Sequence, residues 1–236
     1  SLGLSTMFYE AIQKERYFNR DSLYPEINWN CIKSVVDAFG QRISDWYCEP
    51  VRRLLQQEDG GHFAFTAMAL NCLLIDTLSQ YEHGLTESNG EKFKEFVRDH
   101  LKPYSGPLKA PIRYERYDSR SGRMRMRRHQ RIEDVLWAGF RCGILHEAHA
   151  ALYGSVRPDG QRVSQIKKGH LRYTDTNAHC VSVVINPWRL FSDVEREMKR
   201  YLKKLKNRNS AHDPLRDKFR RKFSDSFGVD ISAASF

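Results

Sequence analysis

The chain has 236 residues, 40% hydrophobic and 29% charged, enough for one large globular domain or a domain with an appendage. It holds 39 lysines and arginines against 29 acids, a net charge of +10, which favours a polyanionic partner, nucleic acid before membrane surface. No run approaches the roughly 18 apolar residues of a membrane span, and no start resembles a secretory signal.

Five cysteines (Cys31, Cys48, Cys72, Cys142 and Cys180) are widely spaced and odd in number, which reads as free thiols in a reducing cytoplasm. Ser1 is not an initiator, so residues 1–6 read as a remnant or processed end, with Met7 a candidate start.

Residues 7–30 mix aromatic and charged residues without periodicity and read as a short helix and a turn at Tyr24-Pro25. From Trp29 the pattern is helical on Ile32, Val35, Val36, Phe39, Ile43 and Trp46, and Pro50 is expected to end or kink it. Phe63–Leu78 is the most apolar stretch and predicts a central core helix bounded by Gly84. Glu91–Leu101 predicts a shorter amphipathic helix, and Pro103, Gly106, Pro107 and Pro111 predict a loop.

Tyr114–Gln130 is the most basic segment, with Arg116, Arg120, Arg123, Arg125, Arg127 and Arg128 interleaved with Tyr114 and Tyr117. An isolated charge run of this kind is usually a solvated loop. The functional reading is that these arginines neutralise phosphates while the tyrosines stack on unpaired bases.

Residues 131–153 then predict a helix whose apolar stripe runs through Val135, Leu136, Ala138, Gly139, Ile144, Leu145, Ala148 and Leu152, stopped by Gly154 and Pro158. Arg141 and His146 sit among those apolar residues, followed by Glu147 and His149. A buried helix rarely carries that many ionisable groups without pairing or using them.

Alternation and β-branched residues in Val163–Tyr173 and His179–Ile185, around Thr174–Ala178, predict a β-hairpin at about 163–186. Asn186-Pro187 starts a helix over Trp188–Leu205, and the basic tail 207–236 predicts a short helix near Pro214–Phe223 and a frayed end.

An arginine, four residues and a histidine late in an apolar helix, here Arg141-Cys-Gly-Ile-Leu-His146 within Phe-Arg-Cys-Gly-Ile-Leu-His-Glu-Ala, resembles the signature of HEPN domains (higher eukaryotes and prokaryotes nucleotide-binding). The resemblance covers roughly Glu133–Tyr153. It implies a mainly α, HEPN-like helical bundle over residues 7–206, with the β-hairpin inserted before the penultimate helix and 207–236 as a tail.

Five residues along an ideal helix rotate by about 500°, so Arg141 and His146 stand about 140° apart. To reach one phosphate they require a distorted helix end or two copies face to face. The family implies the second, a homodimer lining one cleft.

What the resemblance then implies is a cytoplasmic, metal-independent endoribonuclease with RNA as its substrate. It also suggests a toxin or phage-defence setting and a cognate antitoxin or regulatory protein. His146 would exchange protons with the ribose 2′-hydroxyl or the leaving 5′-oxygen, and Arg141 would stabilise the phosphorane, leaving a 2′,3′-cyclic phosphate. Glu147, His149, Cys142 and Asp134 are the supporting candidates, with Glu133 or Asp134 placed by spacing to orient Arg141. No cofactor, resident metal or membrane is expected.

The family commonly places a polar residue, often asparagine, where this chain has Cys142. That keeps open a different class of function, a non-catalytic RNA-binding or regulatory HEPN-like protein. Arg141 discriminates between them: locked in a buried ion pair, it is not a phosphate ligand.

A rival metal reading groups Cys142, His146 and His149, at spacings of four and three, with His179-Cys180. However, His146 and His149 are one residue closer than the zinc-protease pattern requires. Glycine-rich phosphate loops and nucleophilic-serine elbows do not occur in the sequence.

Overall fold

The computed structural model of the chain describes residues 16–57, 63–118, 122–147, 154–158, 161–167 and 181–236, the side chains of 114–118, 146, 147, 166, 167 and 181 excepted. Over these residues the protein is mostly helical, with two small sheets.

Helix α1 (Ile32–Ile43) passes into a π-helical turn, Ser44–Cys48, and on into α2 (Glu49–Leu55). Pro50 therefore does not end the helix. The π turn immediately ahead of it is the kind of local widening that accommodates a missing N–H.

Helix α3 (Ala64–His83) is the apolar helix expected from the sequence. It stops at Gly84, whose φ of +67° is left-handed, and the Leu85 amide donates back to Gln80 at 2.9 Å. A Cβ on Gly84 would also lie 2.7 Å from the Arg221 guanidinium, so backbone conformation and space both demand glycine. Helix α4 (Gly90–His100) begins on Asn89, whose side-chain oxygen accepts from the amides of Glu91 and Lys92 at 3.0 and 3.1 Å.

The next segment differs from its expectation. In place of a proline-rich loop and a solvated basic run, strands β1 (Pro107–Asp118) and β2 (Arg123–Arg131) form a long antiparallel ribbon. Pro107 and Pro111 lie in β1, where the register shifts between Pro107 and Ile112. A two-stranded ribbon tolerates proline on its outer edge, because those N–H groups have no ladder partner to lose. Arg-rich strands lack the β-branched alternation that announces a strand.

The chain then enters α5 (Ile132–Val135), a π turn at Leu136–Cys142, and α6 (Gly143–Glu147). Strands β3 (Gly154–Val156), β4 (Val163–Lys167) and β5 (Val181–Ile185) follow. β4 and β5 are antiparallel, as a hairpin requires, and β3 adds a parallel edge to make the order β3-β5-β4. The middle of the expected hairpin, 168–180, lies outside the described residues. Helix α7 (Pro187–Leu205) and helix α8 (Asp213–Phe227) complete the chain, α8 closing on Gly228 in a left-handed conformation.

Where the sequence suggests one domain and a tail, the residues divide into two compact units. One unit comprises the described residues within 1–53, 80–88 and 195–236. Its core is aromatic: the fully buried Phe18 meets Tyr24, Trp29, Phe223 and Phe227 at ring distances of 5.0–5.8 Å, at which such pairs add to their area burial. The tail is thus not an appendage. Phe219 and Phe223 of α8 are buried there, and the Ile32 amide donates to Ser235 at 2.8 Å. Arg216, 1% exposed, is held by Asp213 and by the carbonyls of Asn207 and Asn209.

The other unit comprises the described residues within 54–79 and 89–194, with Met68, Ile75, Phe93, Leu136, Phe140 and Val183 in its core. Its buried Asp193 accepts from the Tyr104 hydroxyl at 3.0 Å and from Arg162 at 2.7 Å. Burial, and then the Asp193 charge, push the Tyr104 hydroxyl well above its ordinary pKa.

Candidate nucleic-acid interface

The Arg141 helix contains the first candidate site. Arg141 lies on the π turn and His146 beyond it on α6, and π turns of this kind are common at functional sites. Its guanidinium donates to Asp76 Oδ2 at 2.8 Å, with 14% of the Arg141 side chain exposed and 6% of the Asp76 side chain. The same guanidinium lies 4.9 Å from the centre of the Trp137 ring. Trp137 is fixed in turn by Phe93, at 5.1 Å, and by the close approach of Gly90, where a Cβ would stand 2.8 Å from the indole.

The orienting carboxylate is therefore Asp76 of α3, and neither Glu133 nor Asp134. Glu133, fully buried, accepts from the Gly106 amide at 2.9 Å and from Arg131. Asp134 accepts from the Arg131 amide at 3.2 Å and meets Lys94 at 3.4 Å. Both acids secure the start of the helix, whereas Arg141 sits nearer its other end. Sequence reasoning missed Asp76, although it is the sole charged residue between Phe63 and Gln80.

Cys142 is half-buried beside this pair, and Cys72 is fully buried near it. Burial pushes the Cys72 thiol far up against the pull of Arg141, so it stays neutral. His146 and Glu147 end α6, with side chains that are not described, and His149, His179 and Cys180 lie outside the described residues. Among the described residues no group of three or more His, Cys, Asp or Glu is placed to hold a metal ion.

The ribbon is the second candidate. Its two strands carry eight lysines and arginines against two acids, so six of the ten net positive charges sit in 21 residues. Arg123, Arg125, Arg127 and Arg128 on β2 are all exposed, Arg116 lies on β1, and Arg120 is outside the described residues. Two cross-strand pairs in the register are Arg113 with Arg128 and Arg116 with Arg125. For Arg113 and Arg128, like charges directly opposite are unfavourable by roughly 0.2–1 kcal/mol. Met124 and Met126 alternate with the arginines and are also exposed.

At the base of the ribbon His129 is buried in register with Ile112. Burial lowers its pKa below the usual 6.5; Asp134 opposes that shift and Lys94 adds to it.

No helix among the described residues is long and apolar enough to cross a membrane. Comparison with protein families, with curated proteins and with solved structures found no match.

Proposed function

We propose that this protein binds RNA through the β1–β2 ribbon, as a non-catalytic or regulatory HEPN-like helical protein. The observation that carries the reading is the concentration of six net charges in one preformed ribbon with five exposed arginines along β2. Same-face arginines on a strand recur every ~6.7 Å, a spacing suited to following a phosphate backbone. Phosphate contacts of this kind supply affinity without sequence readout.

Catalysis by Arg141 is the weaker reading because its guanidinium is already committed. To stabilise a phosphorane it must offer its N–H fork to the reacting oxygens. Here it serves Asp76, and turning away would break a mostly buried ion pair, at about 3–5 kcal/mol. The site favours holding α3 to the π turn over ligating a substrate.

Two measurements test this on the full chain. Binding of a labelled RNA should weaken with salt, and neutralising three arginines (R123Q/R125Q/R127Q) should reduce the log–log slope by about 2, at ~0.7 per single-strand phosphate contact. A salt-insensitive affinity, or a slope that the triple substitution leaves unchanged, removes the ribbon from the interface. In parallel, an RNA pool incubated in EDTA should stay intact. Cleavage to 2′,3′-cyclic phosphate ends, lost in both R141A and H146A, would replace the binding reading with the dimeric, metal-independent ribonuclease.

A further inference from the structure

The first unit carries a second aromatic and cationic surface, built from segments about 25 residues apart in the chain. Residues 16–24 form a tight turn. Tyr17 bridges to Leu23, the Tyr24 amide donates to the Arg16 carbonyl at 3.1 Å, and Asn19 Oδ1 accepts from the amides of Asp21 and Ser22 at 3.0 and 2.8 Å.

The turn is tied to the π-helical end of α1 at two points. Arg42 donates to the Phe18 carbonyl, and the Arg20 amide donates to Asp45 at 3.0 Å. Phe18 anchors it in the aromatic core. Two large aromatic side chains remain outside, Tyr17 at 60% exposure and Trp46 at 52%.

The surroundings of Trp46 narrow what it takes. The Arg42 guanidinium lies over its ring at 4.1 Å, and over Phe18 and Phe227 at 5.2 Å each. One face of the indole is thus already used by a cation, and Arg16 and Arg20 are exposed on the turn alongside. Asp21 is the exposed acid of the same turn, and against Arg16, Arg20 and Arg42 it leaves a net positive surface that disfavours a cationic ligand. Asp45, the nearest acid on the π turn, is engaged by the Arg20 amide and by Gln41 at 2.7 Å. A planar group tethered to negative charge suits both features, because bases stack on exposed rings while arginines neutralise the adjoining phosphates. The rigid turn has little freedom to lose on binding.

We infer that Trp46 and Tyr17 form a stacking site for unpaired bases of a single RNA strand, with Arg16 and Arg20 as its cationic rim. The residues are independent of the ribbon, and only the choice of RNA rests on the function proposed above.

The test is anisotropy of a labelled octameric adenosine oligoribonucleotide, and of an RNA duplex of similar length, with wild type, W46A, W46F and R123Q/R125Q/R127Q. W46A should weaken the single strand by roughly ten-fold or more and leave the duplex within about two-fold, while W46F retains most of the single-strand affinity. Trp46 is about half exposed and contacts Arg42, so thermal melting should move only slightly in W46A, and W46F, which keeps a ring under Arg42, guards against a folding defect.

Unchanged single-strand affinity in W46A overturns the inference. So does equal loss on the duplex, or equal loss in W46F. If the ribbon substitutions abolish binding and W46A does not, the ribbon stands and this site falls; the reverse result keeps this site and removes the ribbon. No binding of either RNA by wild type overturns both.

Discussion

Arg141 and Asp76 form the most consequential pair of side chains in the second unit. An exposed ion pair is worth about 0–1 kcal/mol, but this one is mostly buried, and removing one partner takes the opposite charge from the other. R141A and D76A should each lower the unfolding free energy by about 3 kcal/mol in urea titrations. The double variant should lose less than the sum of the two, because the same ion pair is counted in both single losses. Additive losses would show that the pair is not coupled. This partner was only half legible in the sequence. A lone aspartate in the most apolar helix announces that something must neutralise it, yet spacing pointed Arg141 to Glu133 and Asp134, its neighbours along the helix. Asp76 lies 65 residues away, and long-range pairing is not written into local periodicity.

At the scale of elements, helices were legible and strands only partly so. α3, α4 and α7 follow the expected spans because apolar residues at steps of three and four must be buried on one face. The β4–β5 pairing was legible from alternation for the same kind of reason. The β1–β2 ribbon was not, since β2 presents polar or methionine side chains to solvent at nearly every position and so has no hydrophobic alternation to read. The one buried side chain of β2, His129, makes the ribbon base acid-sensitive. Because the folded pKa lies below 6.5, the unfolded chain takes up the proton first as pH falls. The stability contributed by neutral His129 is complete above about pH 6.5 and declines between there and the lower, folded pKa. Thermal melts between pH 7 and 5 should therefore show a smaller acid-induced drop in H129Q than in wild type. Matching drops would place the acid sensitivity elsewhere.

For the whole molecule the question is whether RNA would respond to net charge or to where the charge lies. The second basic run, on α7, has the composition of a nucleic-acid face but different pairing. Lys199 meets Glu195 at 2.9 Å, and Arg200 meets Glu197 at 3.1 Å. Much of that face is thereby neutralised by its own helix, as i to i+3 and i+4 pairs do. The ribbon lacks that balance, with only two acids in its two strands. K199Q/R200Q/K203Q and R123Q/R125Q/R127Q each remove three charges from the same total of +10. If the long-range field of the protein governed binding, the two triples would weaken RNA affinity equally. The ribbon triple should instead cost about ten-fold or more near physiological salt, against about two-fold for the α7 triple, because only phosphates in contact release counterions. Equal losses would mean that the excess of basic residues acts as a diffuse field, and that the ribbon has no privileged part in it.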